Sequence, residues 1–119
     1  MPGSDQLQGG ELNAAVTSAL VGIHTEYLGR GPKTASTFHH GNVLVTLMYE
    51  VLTPAERSLV RHGHNEAIGG IRHLFQKTME VDLRAAVERI TGRRVVGFIS
   101  GNQFEPDLAA ELFILDEPL

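Results

Sequence analysis

Apolar side chains recur along this chain with two different periods, and each change of period marks an element. Leu12, Ala15, Val16, Ala19, Leu20, Ile23 and Tyr27 follow three- and four-residue steps, the spacing that gathers side chains on one face of an α-helix. Gly29 fits the left-handed position just past such a helix, and Pro32 prevents its continuation. The period then shortens to two. Thr34 to His39 and Val43 to Leu52 read as the strands of a hairpin closed by Gly41-Asn42. In the second strand Val43, Val45, Leu47, Tyr49 and Val51 share one face. Leu44, Thr46, Met48 and Glu50 share the other, which is expected to be half-wet or to cover a partner.

The helical period returns after Leu52. Thr53-Pro54-Ala55-Glu56 predicts a helix start with Thr53 as N-cap, Pro54 as first helical residue and Glu56 closing a capping box. This short helix is predicted to reach about His62, to break at Gly63 and to restart from a cap at Asn65. Ile68, Ile71, Phe75, Met79, Leu83, Val87 and Ile90 then keep one stripe from about Glu66 to Thr91, and Gly92 ends it. Arg94 to Ser100 and Ala109 to Leu115 read as a second hairpin, with Gly101 to Asp107 as a loop around Pro106. The order α-β-β-α-α-β-β predicts an α+β fold. Two hairpins form a four-stranded, mostly antiparallel sheet, and helices cover one face. Residues 1–10 are expected to be a flexible leader, 11–116 a single domain and 117–119 a tail. The long helix, roughly 40 Å, outruns strands this short, so a homodimer is expected to cover its far end.

Composition narrows the class. The 119 residues are 42% hydrophobic and 20% charged, which excludes a wholly disordered chain. No apolar run approaches the roughly 20 residues that span a bilayer, and the first residues carry no secretory signal pattern. The expected location is cytoplasmic, with peripheral membrane contact left open. The absence of cysteine excludes disulfides, thiolate catalysis and cysteine-based zinc sites. Fourteen acidic residues stand against ten basic ones, giving a net charge of −4. The longest basic run is Arg93-Arg94, which argues against a nucleic-acid footprint.

Candidate chemistry is sparse. Gly29-Arg30-Gly31-Pro32 is either a helix stop and a turn, or a guanidinium set among free amides that receives a small anion. It lacks the ending of a phosphate loop. Arg72 borders the long-helix stripe, where it can snorkel, pair with Glu56 or Glu66, or meet a partner. His24, His39, His40, His62, His64 and His73 are the histidines. His62 and His64 with Glu66 make the metal-dependent alternative, while consecutive strand residues such as His39 and His40 face opposite ways. Glu50 and Glu111 fall in strands and are expected to be exposed. Glu80, Arg84 and Glu88 are spaced for ion pairs on a helix surface. No serine-hydrolase, zincin or dinucleotide motif is present, so no catalytic residue and no cofactor are expected.

Several strings in fixed order carry a resemblance. They are Tyr27-Leu-Gly-Arg-Gly-Pro32, Val43-Leu-Val-Thr-Leu47, Leu52-Thr-Pro-Ala-Glu56, Arg72 with Phe75, and Thr91-Gly92-Arg93 before Val95. Together they resemble the MpsC family, from about Leu12 to Leu115. The matched positions include Gly29, Arg30, Gly31, Pro32, Thr53, Glu56, Arg72 and Gly92. The resemblance implies a non-catalytic accessory component of a sodium-translocating, membrane-potential-generating system linked to bicarbonate supply. A membrane-protein or cytosolic partner and a small anion at Arg30 are the expected ligands. A small metal-dependent enzyme and a nucleic-acid-associated regulator are the competing readings.

Overall fold

The structure is a computed structural model and describes residues 8–119. Helix α1 (Gly9–Leu28) ends at Gly29, whose φ of 81° no side-chain-bearing residue adopts cheaply. The Gly29 amide donates to the Thr25 carbonyl and closes the last turn. The helix begins inside the stretch expected to be a leader, and residues 1–7 of that stretch lie outside the described residues. Strands β1 (Thr34–His40) and β2 (Val43–Tyr49) form the first hairpin across Gly41-Asn42. Helices α2 (Pro54–Arg61) and α3 (Asn65–Thr91) follow, then β3 (Val95–Phe104) and β4 (Asp107–Leu115). The α+β class, the element order and the four-stranded antiparallel sheet agree with the sequence reading.

The strand order is β1-β2-β4-β3, every neighbouring pair antiparallel. Registers align the strands in rows that cross the whole sheet. One row on the helix-covered face is His39, Leu44, Phe113 and Phe98. Leu44 and Phe113 are fully buried there with Leu12, Val16 and Leu20 of α1 and Met79, Leu83 and Val87 of α3. A satellite cluster of Met48, Val51 and Ala109 closes one end. The long dimension of the molecule is 56 Å against 24 and 23 Å, because α3 with its 27 residues runs past the end of α1.

Four local expectations are corrected. The covered face of β2 is Leu44, Thr46 and Met48, not the Val43–Val45–Leu47 face. Period alone could not rank two nearly equal apolar sets; the partners Phe113 and Phe98 do. Strand β2 stops at Tyr49 rather than Leu52, because Glu50 turns the chain at φ 55°. The expected loop 101–107 shrinks to the turn at Glu105-Pro106, since Phe104 pairs with Asp107, and Pro106 stands where no ladder amide is needed. The N-cap of α3 is His64, and Asn65 is its first helical residue.

Candidate functional site

Residues 50–53, between β2 and α2, gather most of the charged side chains buried at that end. Glu50 holds a left-handed backbone, an uncommon state for a residue with a side chain. Its amide donates to the Asp107 carbonyl, 2.9 Å away. The Asp107 carboxylate in turn accepts from the amides of Val51 and Leu52, each at 3.1 Å. The carbonyls of Glu50, Val51 and Leu52 receive arginine side chains. Arg30 Nη2 donates to Glu50 O at 3.3 Å, and Arg30 Nη1 to Leu52 O at 3.0 Å. Arg72 Nη2 donates to Val51 O at 2.8 Å, and Arg57 Nη2 reaches Leu52 O at 3.3 Å. The segment's main-chain polar groups are thereby satisfied although Val51 and Leu52 are buried.

Glu56 links this bend to α2 and α3. Its Oε1 accepts from the Thr53 amide at 2.8 Å, while Thr53 Oγ1 accepts from the Glu56 amide at 3.2 Å. The capping box stands as the sequence predicts. Glu56 also takes both ends of a fork from Arg72, Nε to Oε2 at 2.8 Å and Nη2 to Oε1 at 2.6 Å. Burial pushes the Glu56 carboxyl upward. The Arg72 hydrogen bonds and charge, with the Thr53 bonds, outweigh it and hold the group below the usual glutamate value. Arg72 is buried, so of the three settings open to it the pair with Glu56 is realised.

The predicted anion site is therefore placed as follows. Arg30 and Arg72 converge on one bend, and Gly31 packs its α-carbon where an added Cβ would lie 2.7 Å from Thr25 Oγ1. Arg30 Nε additionally faces the Gly31 carbonyl at 3.3 Å. Receiving an anion would require Arg30 to leave three carbonyls. Gly29 and Pro32 flank the turn.

A second polar group lies inside the core, and here the sequence expectation of an exposed Glu111 is wrong. Glu111 is 1% exposed and His24 4%. His24 Nδ1 is 2.9 Å from the Leu20 carbonyl, which can only accept, so Nδ1 carries a proton. Nε2 lies 3.2 Å from Glu111 Oε1. Among the described residues Glu111 Oε2 has no hydrogen-bond partner, nor has Ser100 Oγ, which stands directly across the strand pair. Their register row continues through Thr46 to Thr37. Thr17 donates to Asn13 O, so Thr37 donates to Thr17 and Thr46 to Thr37, at 2.7 and 2.8 Å. The sequence signal for His24 was its place one turn after Leu20; a buried polar row needs the strand register and cannot be read from one strand.

The remaining candidates stay apart. His39 lies 2.9 Å from Asn13 Oδ1 and His62 Nδ1 2.8 Å from the Ser58 carbonyl. Among the described residues no three histidine or carboxylate side chains converge to hold a metal ion. Glu50 is exposed, as expected, with Lys33 at 3.5 Å. Arg84 pairs with Glu80 at 2.8 Å, whereas Glu88 accepts from the Val95 amide instead of Arg84. The Tyr27 hydroxyl donates to Asp82 at 2.6 Å, a bond that raises its pKa above the usual tyrosine value. Arg93 holds the end of the chain through the Pro118 carbonyl.

Among the described residues no helix is long and apolar enough to cross a membrane. Searches of curated proteins and of solved structures returned no significant match. A family model described as Na+-translocating membrane potential-generating system (MpsC) matches residues 8–117. The strings that suggested this family lie far apart in the chain, yet Arg30, Thr53, Glu56 and Arg72 meet at one bend. With nearly the whole chain matched, the protein belongs to the MpsC family.

Proposed function

We propose that this chain is a non-catalytic accessory component, an adaptor, of a sodium-translocating system that generates membrane potential, and through it serves bicarbonate supply. It acts as a peripheral protein on the cytoplasmic side and docks on a membrane-embedded partner through α3. The observation that carries the reading is an outward stripe on that helix. Ile71, which the helical period groups with the core stripe, is instead 44% exposed, and Leu74 and Val81 are 66% and 74% exposed. With Thr78 they repeat at three- and four-residue steps, the spacing by which one helix offers a seam to another. The bend at 50–53 supports the same reading. Its arginines and carboxylates are spent on main-chain groups and on each other, which suits a rigid mount for α2 and the start of α3 rather than a reacting centre.

The test is a strain lacking the chain, complemented with wild type or with Leu74→Asp plus Val81→Asp. Membrane potential is followed with a potential-sensitive dye with and without sodium, alongside uptake of labelled bicarbonate. Loss of the sodium-dependent potential in the deletion, restored by wild type but not by the stripe variant, is the expected result. A deletion strain with an unchanged sodium-dependent potential overturns the proposal.

A further inference from the structure

The face of the sheet turned away from the helices is apolar along β2 and β4 and carries Phe38 and Ile99 on the outer strands, with His40, Ser36, Thr34 and Gln103 as its polar positions. Its register rows follow from the pairings. Phe38, Val45, Leu112 and Ile99 stand side by side from one edge to the other. A neighbouring row holds Leu47, and the next Tyr49 and Leu108. Four rows of four residues make up the face, and none of the sixteen is Asp, Glu, Lys or Arg. The chain as a whole carries 24 such residues among 119, so an uncharged surface of this size is not the local average. Phe38 is 51% exposed, Ile99 67% and Tyr49 41%. Among the described residues no helix or loop lies over this face.

We infer that this face is the self-association surface of the protein, and that its occupant is the same face of a second copy. Two arguments select a copy. The first is charge. Each chain is negative, at −4, and two copies meeting through this face bring no like charges of Asp, Glu, Lys or Arg together, whereas α3 carries Lys77, Asp82 and Arg84 beside its stripe. The second is area. Four strands about 4.8 Å apart, paired over about seven residues, give a plane of roughly 450 Å². Side-chain relief brings two such faces to roughly 1,000 Å² of buried surface, the threshold of a specific interface. The complex is a sandwich of two four-stranded sheets about 10 Å apart, helices on both outer sides, with a two-fold axis lying between the sheets. The inference does not depend on the adaptor reading, which uses the opposite side of the molecule.

The experiment is sedimentation velocity on the full chain at tens of micromolar, with far-UV circular dichroism on each variant. The expected wild-type mass is twice 13.0 kDa. Phe38→Asp plus Ile99→Asp, at exposed positions, is expected to give a folded monomer; Leu74→Asp plus Val81→Asp is expected to remain a dimer. Because the chain has no cysteine, Val45→Cys supplies a lone thiol near the centre of the face. A short bis-maleimide should link it to its own copy, and should fail to link Val81→Cys. This second readout decides the matter if the double aspartate variant does not fold. A monomeric wild type overturns the inference. So does a dimer broken by the α3 variant and kept by the sheet variant, or a cross-link at Val81→Cys without one at Val45→Cys.

Discussion

Arg72→Met isolates what the bend at 50–53 contributes. The substitution keeps an unbranched apolar stem and removes the guanidinium. Two charge-assisted bonds to Glu56 disappear, at 2.8 and 2.6 Å, together with the donor to the buried Val51 carbonyl. Removing one member of a buried ion pair costs about 3 to 5 kcal/mol, chiefly because the survivor is left without its partner. Glu56 keeps the Thr53 amide and is 14% exposed, against 4% for Arg72, so the low end applies, about 3 kcal/mol. With a urea m-value near 2 kcal/mol/M, the unfolding midpoint should fall by about 1.5 M. Acid titration of stability supplies an independent check. In the folded protein Glu56 is held below its usual pKa, so below neutral pH the unfolded chain binds the proton first. The stabilisation is complete above the usual glutamate range and is lost as pH falls through the lower folded value. Wild type should therefore lose more stability across that acid window than Arg72→Met does. A variant within about 0.5 kcal/mol of wild type, the range of an ordinary surface change, refutes the reasoning.

Three further outcomes follow from the geometry. His24→Leu and Glu111→Leu should each destabilise by about 3 kcal/mol, while the double variant recovers much of the loss because no lone polar partner remains; additive urea midpoints would contradict the coupling of the buried pair. Gly31→Ala should cost about 1 to 3 kcal/mol through the clash with Thr25 Oγ1, and Thr25→Ala in the same chain should restore most of it in thermal melts. Asp82→Asn should lower the Tyr27 pKa toward the usual tyrosine value, read as an earlier ultraviolet phenolate transition that is missing in Tyr27→Phe.

Local chemistry was legible wherever neighbours in sequence decide it. The Thr53–Glu56 capping box, the left-handed stops at Gly29 and Gly92 and the Gly41-Asn42 turn all depend on residues within four positions of each other. The α-β-β-α-α-β-β order followed from the same short-range periods. Tertiary structure decided what period cannot rank. Two apolar sets alternated along β2, and only the pairing of β2 with β4, and of β4 with β3, placed Leu44 in one row with Phe113 and Phe98, which turned the Val45 set outward. The same register carried Glu111 inward to His24, against the expectation that a strand carboxylate stays wet. Arg30 and Arg72 were visible as unusual residues but not as partners at one bend, since their meeting depends on chain segments 42 positions apart. Side-chain period and capping are short-range properties written into neighbouring residues. Facing, register and convergence arise only when distant segments compete for the same buried volume and the same hydrogen-bonding groups.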